Sequence, residues 1–262
     1  MPKFSANLTF LYTDLPLLDR FAAARKSGFK GVEYMSPYDE AKGDLAARLR
    51  DNGLSQVLFN VPAGNWGGGE RGIAIFSDRV DEFRRGVHRA IEYADALGCG
   101  LVNCIVGLTP RDVDARTLRK TLVDNLAYAA AELAKANVKL LIEPINTRDI
   151  PGFYLTRTDQ ALGLIKEVGS DNLYVQYDIY HMQIMEGDLA QTMEANLPRI
   201  AHIQLADNPG RHEPGTGEIN YPFLFAHLDK IGYAGWIGCE YKPLGSTEAG
   251  LSWMKPYQSQ SV

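Results

Sequence analysis

The sequence predicts a single (β/α)8 barrel, a TIM-barrel α/β fold, and three observations carry that prediction. Strand-like and helix-like segments alternate eight times along the chain. Gly follows many of the helical segments (Gly28, Gly53, Gly98, Gly169, Gly232), where a helix C-terminus wants a left-handed residue. Every strand-like segment sets a polar side chain opposite its apolar face. A length of 262 residues with no low-complexity break suits one domain over 1–262, since such a barrel typically needs ~250 residues.

The elements run as follows. KFSANLTF precedes a helix over Leu15–Lys26, and GVEYM precedes one from about Glu40 to Arg50. SQVLFNV enters a long loop, PAGNWGGGERGIAIFSD, before a helix over Arg79–Leu97. LVNCIV precedes Arg116–Ala136, VKLLIEPI precedes Thr158–Val168, and LYVQYDIY precedes Asp188–Asn196. The seventh strand, through His202 and Gln204, leads into a Gly/Pro-rich loop bearing Arg211 and His212, then a helix over Phe223–Ile231. The eighth, through Ile237 and Glu240, is followed by a short helix near Thr247–Met254.

Side chains alternate faces along a strand. Strand one therefore opposes Phe4, Ala6 and Leu8 to Ser5, Asn7 and Thr9. In the next three strands Glu33, Asn60 and Asn103 stand against apolar neighbours, and in the last four Glu143, Asp178, Gln204 and Glu240 do so. Helices cover the outside of a parallel barrel, so the apolar faces pack there. The polar set must line the lumen, mostly near the C-terminal ends where barrel active sites lie.

Composition excludes several function classes. An apolar fraction of 45% is that of an ordinary globular core. A net charge of −5 argues against a nucleic-acid partner. No apolar run approaches the ~20 residues that span a bilayer, so no membrane partner is expected. MPKFSANLTF has neither a basic start with a long apolar core nor a cleavage site, so no signal peptide is expected. Cys99, Cys104 and Cys239 form no CxxC pair and read as small buried apolar residues, which fits a cytoplasmic location. Assembly into a homo-oligomer stays open.

Glu143, Asp178, Gln204 and Glu240 fall on four consecutive strands and all offer oxygen. Carboxylates converging in a dry cavity repel one another unless protonated or neutralised, and a divalent cation resolves the conflict. All-oxygen ligation favours Mg²⁺ or Mn²⁺ over zinc. The alternative is a hydrogen-bonded lumen that shares a proton and holds no metal. Arg211 has the fork to bind a substrate carboxylate, and Lys242, two residues beyond Glu240, has the parity to reach the same mouth. Both also read as solvated loop charges. His88 and His227 fall in helices, His202 packs the lumen one layer below Gln204, and His212 is ambiguous. The loop Pro62–Asp78 reads either as a lid or as a surface insertion.

The runs HIQLADNPGRHEPGTGEINYP, GWIGCEYKP and LLIEPIN resemble the hydroxypyruvate isomerase family of xylose-isomerase-like barrels, whose close relative is 2-oxo-tetronate isomerase. The resemblance covers the chain from FSANL and FAAARKSGF to EYKP. It implies a catalytic glutamate pair, Glu143 of LIEP and Glu240 of CEYKP, and a divalent ion at the positions of Glu143, Asp178, Gln204 and Glu240. Gln204 stands where the epimerase relatives carry a histidine. His181, in DIYHMQ, resembles their substrate-polarising histidine. The implied reaction interconverts hydroxypyruvate and tartronate semialdehyde through an enediolate. The alternatives are 2-oxo-tetronate isomerisation or a related sugar-acid epimerisation, a non-catalytic sugar-acid binder, and an endonuclease IV-like phosphodiesterase. The last needs several zinc ions on many histidines and a basic face.

Overall fold

Eight parallel strands pair in chain order, and the last pairs with the first to close a barrel. The structure, a computed structural model, describes residues 1–257. The strands are β1 (Lys3–Asn7), β2 (Gly31–Glu33), β3 (Ser55–Asn60), β4 (Leu101–Cys104), β5 (Lys139–Ile142), β6 (Leu173–Asp178), β7 (Ile200–Leu205) and β8 (Trp236–Cys239). The helices are α1 (Leu17–Lys26), α2 (Lys42–Asn52), α3 (Val80–Leu97), α4 (Ala115–Lys135), α5 (Thr158–Val168), α6 (Ile179–Met185), α7 (Leu189–Asn196) and α8 (Tyr221–Lys230).

The helices form where the pattern puts them because each buries one stripe. In α3 Phe83, Val87, Ala90, Ala94 and Leu97 recur at helical spacing and are all buried. Gly98 and Gly169 end α3 and α5 in the left-handed region, at φ 62° and 67°, where a Cβ is disfavoured. The outward strand residues Ala6, Val32, Val102, Leu140, Val175, Ile203 and Ile237 bury against these stripes.

The lumen is filled in layers. At its floor Val57, Leu58 and Leu141 pack with Leu101, Tyr174, Ala201 and Trp236, a cluster separate from the main core. Leu101 and Trp236 open their strands, and Tyr174 and Ala201 are second in theirs, so the N-terminal mouth of the barrel is plugged by apolar side chains. Above the plug Ser5, Asn7, Glu33, Asn60, Asn103, Glu143, Asp178, Gln204 and Glu240, all singled out by strand parity, are buried. Thr9, also on that face by parity, lies past the end of β1 and is exposed.

Two local expectations differ. LYVQYDIY is not strand throughout: β6 stops at Asp178, whose side chain accepts from the Tyr180 and His181 N–H groups and so starts α6. The closing helix is a 3-10 helix over Ala249–Tyr257 rather than a helix at Thr247–Met254. In the loop Pro62–Asp78, Ile73, Ala74 and Ile75 are buried, and Gly72 bridges Val106. The tip around Trp66 is exposed, with Arg71 stacked on the indole at 4.1 Å.

Gly238 shows how tightly the lumen is filled. A Cβ there would stand 2.2 Å from Glu33 Oε1. Gly238→Ala is expected to destabilise the fold by about 1–3 kcal/mol, the usual cost of overpacking. Urea denaturation reads this directly, and an unchanged midpoint would contradict the packing described.

Candidate active site

The C-terminal ends of the strands enclose a cavity of about 220 Å³, bordered by Asn7, Glu143, His181, Gln204, Arg211 and Glu240. A larger cleft of about 610 Å³ adjoins it on the side of Tyr38, Asn60 and Trp66. The paired glutamates border only the smaller one.

A charged layer lies just below. Glu33 accepts from Ser5 Oγ at 2.8 Å, Asn7 Nδ2 at 3.3 Å and Gln204 Nε2 at 2.8 Å. His202 Nε2 stands 2.9 Å from its Oε2, and both residues are fully buried. Burial pushes the Glu33 carboxyl up, but His202 and the hydrogen bonds outweigh it and leave the carboxyl below its usual range. Glu33 is therefore a fixed anion.

The upper layer holds the remaining carboxyls. Glu240 Oε2 accepts from Asn7 Nδ2 at 2.9 Å and from Gln204 Nε2, and its Oε1 accepts from Arg211 Nη2 at 2.7 Å. Glu143 Oε2 accepts from Asn103 Nδ2 at 3.1 Å. Asp178 Oδ1 accepts from the Tyr180 and His181 N–H groups at 2.8 and 3.3 Å. Its Oδ2 is buried with no hydrogen-bond partner among the described residues, as is Asn103 Oδ1.

Electrostatics follow from the crowding. Burial, then repulsion from Glu240 and Asp178, pushes the Glu143 carboxyl well above its usual range. Burial lifts Asp178, although Arg211 and two backbone N–H groups oppose it. Burial raises Glu240 to about 8 against the pull of Arg211. Burial and then Arg211 hold His181 well below its usual value, so its ring is neutral. Perturbed carboxyls converging on one cavity make it the candidate functional site.

The donor set fits a divalent cation. Ligand atoms of Glu143, Asp178 and His181, all buried, lie within 4.8 Å of one another and could hold a metal ion. The unpartnered Asp178 Oδ2 and the uncompensated carboxyls supply the need for one. Gln204 departs from the expected ligand role in this arrangement. Its Oε1 accepts from Gln176 Nε2 at 2.6 Å, while its Nε2 faces Glu33 and Glu240. Turned over, the amide would present oxygen to two carboxyls, so the donor orientation is the one charge favours.

Arg211 reaches the site. Besides Glu240 it approaches Asp178 Oδ2 at 3.7 Å and Asp149 Oδ2 at 3.4 Å, and its guanidinium faces the rings of Phe10 and Tyr180. Burial disfavours its charge, but Glu240, Asp178, Glu143 and Asp149 outweigh that and raise its pKa. Lys242 does not join it: the side chain is exposed and borders a separate cleft with Thr13 and Asp14. The chain leaves β8 at Cys239, so strand parity no longer holds two residues past Glu240. His212 braces the loop, with Nδ1 2.7 Å from the Lys242 carbonyl oxygen. His88 and His227 make contacts outside the site, to Tyr128 Oη and the Ala190 carbonyl.

Sequence reasoning missed Asn146, Asp149, Phe10 and Tyr180. The first closes the LLIEPIN run, three residues past Glu143, and only that proximity could have flagged it. The others lie outside strands, where parity gives no signal.

Comparison with known proteins agrees with the fold. The family described as xylose isomerase-like TIM barrel matches residues 21–257. The hydroxypyruvate isomerase of Escherichia coli K12 is 54% identical over 258 residues, covering 98% of this chain and 100% of that protein. The 2-oxo-tetronate isomerase of Cupriavidus necator is 50% identical over 257 residues, covering 98% and 99%. A crystal structure from Brucella melitensis described as AP endonuclease, family 2, superposes with a TM-score of 0.96 at 45% identity, covering 99% of this chain and 100% of that one. An Escherichia coli 3-keto-D-glucoside 4-epimerase shares the fold at a TM-score of 0.82 and 20% identity, covering 98% and 99%. Family match, near full-length relatives and a closed eight-stranded barrel coincide, and the chain belongs to the xylose isomerase-like TIM barrel family.

Proposed function

We propose that this protein is an isomerase of short hydroxy-keto acids, interconverting hydroxypyruvate and tartronate semialdehyde. The observation that carries the reading is one cavity on which the side chains of Glu143, Glu240, His181 and Arg211 converge. At about 220 Å³ it falls below the ~300–1,000 Å³ of pockets for drug-sized ligands, which suits a molecule of a handful of heavy atoms. Isomerisation moves a carbonyl between adjacent carbons, so a proton leaves the hydroxyl-bearing carbon and another arrives at the former carbonyl carbon, while the hydroxyl oxygen gives up its proton and the former carbonyl oxygen gains one.

Glu143 is the better placed of the two glutamates to move that proton. Its Oε1 accepts no hydrogen bond among the described residues, whereas Glu240 has both oxygens engaged by Asn7, Gln204 and Arg211. A carboxyl raised by burial and by its neighbours is also a stronger base once ionised. Glu240 orients Arg211, which lies where it can take the substrate carboxylate. His181 donates toward a substrate oxygen. Mg²⁺ or Mn²⁺ held at the carboxyls of Glu143 and Asp178, whose oxygens lie together with Asp178 Oδ2 unpartnered, would supply Lewis-acid stabilisation of the developing oxyanion.

The adjoining cleft favours one second reading. It shares Thr9, Tyr34, Met35, Asn60 and Trp66 with the cavity wall, leaving room for the extra carbon of 2-oxo-tetronate. A phosphodiesterase reading lacks comparable support. Among the described residues a single three-residue cluster could ligate metal, and the net charge is −5.

Three outcomes are expected. Glu143→Gln lowers kcat by about 10²–10⁴-fold, the usual contribution of a positioned base, and steady-state turnover of hydroxypyruvate checks it. Unaffected turnover would remove the glutamate from the mechanism. In side-by-side assays kcat/KM for hydroxypyruvate exceeds that for 2-oxo-tetronate, and a large preference for the longer acid would reassign the substrate.

The third concerns stability and pH. Folded Glu143, Asp178 and Glu240 hold their protons above the usual carboxyl pKa. Above about pH 6.5 His181 is neutral folded or unfolded and no longer opposes them, so from there to about pH 8 the folded state binds more protons than the unfolded. The Tm of the chelated protein should therefore fall as pH rises through that window, and added Mg²⁺ or Mn²⁺ should restore most of the loss at the alkaline end. A Tm flat across the window in chelator would show that the carboxyls are not crowded as described.

A further inference from the structure

Asn146 is fully buried, and the orientation of its amide is not free. Its Oδ1 accepts from the backbone N–H of Arg148 at 3.0 Å and of Asp149 at 2.7 Å. Only an oxygen can accept two N–H donors, so the other terminal atom is the NH₂ group. That group lies 2.6 Å from His181 Nδ1. An NH₂ donates, so Nδ1 must offer its lone pair and carry no proton. The single proton of the neutral ring then sits on Nε2.

Nε2 points into the carboxyl cluster, 3.5 Å from Asp178 Oδ2 and 3.8 Å from Glu143 Oε1. A protonated ring nitrogen has no lone pair for a cation. The imidazole therefore cannot complete the metal site that its proximity to Glu143 and Asp178 suggests, and the carboxyls must serve instead. At 3.5–3.8 Å it also makes no close hydrogen bond to either carboxyl, so its N–H remains available to a third acceptor in the cavity it lines.

We propose that Asn146 is a positioning residue that locks His181 as the Nε2–H tautomer, keeping it out of metal coordination and available as a hydrogen-bond donor to a substrate oxygen. The same amide also sets the charge opposite Arg211. The turn closed on its Oδ1 holds Asp149, whose carboxylate faces Arg211 Nη1 at 3.4 Å and accepts from Tyr180 Oη at 3.2 Å. One side chain thus aims both the neutral donor and the partner of the site's cation. The donor role rests on the isomerase reading, while the tautomer stands on hydrogen bonding alone.

The test reads the ring directly. In protein labelled with [¹⁵N]histidine, long-range ¹H–¹⁵N correlation should give His181 a pyrrole-type Nε2 and a pyridine-type Nδ1. The His181→Gln spectrum assigns the signal among the five histidines. Asn146→Asp keeps an oxygen for the two backbone donors but replaces the NH₂ with an acceptor. It should move a proton onto Nδ1 and lower kcat on hydroxypyruvate by about 10²–10³-fold, as losing a preorganised donor does, with KM within a few-fold. A wild-type ring protonated on Nδ1 overturns the proposal without any variant having to fold. Tautomer exchange in Asn146→Asp with kcat intact overturns the donor role. If the wild type turns over neither hydroxypyruvate nor 2-oxo-tetronate, the isomerase reading fails, and the spectrum still decides the tautomer.

Discussion

Three buried carboxyls face one guanidinium, and the rest of the lumen is arranged around that imbalance. Two unit charges about 4 Å apart repel by about 4 kcal/mol at an effective dielectric of 20. A domain stable by only about 5–15 kcal/mol cannot carry several such pairs without compensation. Arg211 offsets part of it, reaching Glu240 at 2.7 Å and Asp178 at 3.7 Å. The remainder must be met by bound protons, a cation or a substrate that brings its own charge pattern. The raised pKa values of Glu143, Asp178 and Glu240 express that deficit. A site under such pressure is prepared to bind, because binding relieves it.

Neutral amides hold the crowd in place without adding to it. Gln176 donates to Gln204, and Gln204 donates in turn to Glu33 and Glu240, so the ladder runs one way and ends on the acids. Asn7 repeats the bridge between Glu33 and Glu240 from the neighbouring strand. Asn103 ties Asn60 to Glu143 on the far side. Lysines at these positions would have neutralised the acids but also quenched the base. Below, the Glu33–His202 pair supplies a fixed anion against which the amides orient, and the apolar plug closes the lumen beneath it. Water exclusion makes each of these hydrogen bonds stronger and each unmet one more costly.

The barrel and its polar lumen were legible because both depend on alternation, which strands impose on any sequence. Glu143, Asp178, Gln204 and Glu240 could be picked out by parity alone, and all four are buried. Parity fails where the strand ends. Lys242 continues the count from Glu240, but β8 has already finished at Cys239, and its side chain faces solvent beside Thr13. The direction of an amide is equally hidden: only Gln176 on the adjacent strand shows that Gln204 presents nitrogen to Glu240. Asn146 stayed invisible for the same reason. Its meaning lies in which of its two ends meets His181, and that is decided by the backbone of Arg148 and Asp149.

Among the described residues the one cation of the site, Arg211, sits on a loop, which ordinarily would make it the least certain element of the geometry. Here the loop is clamped from within. The Asp207 carboxylate, fully buried, accepts from the backbone N–H groups of Asn208, Gly215, Gly217 and Ile219. Gly217 passes so close that a Cβ would lie 2.2 Å from the Asn208 carbonyl oxygen. Arg211 itself is pinned at both backbone ends, its N–H on the Asp207 carbonyl and its carbonyl on the Lys242 N–H. Its φ of +58° is a conformation that glycine or asparagine would adopt at less cost. A long branched cation held there costs about 1–3 kcal/mol, and such strain persists only where the surroundings enforce it. Since the backbone alone would favour a smaller residue, the reason for arginine must lie at the far end of its side chain, where Glu240, Asp178 and Asp149 share it. A cation fixed before the substrate arrives loses little freedom on binding it, which is how a loop residue reaches the precision of a strand residue.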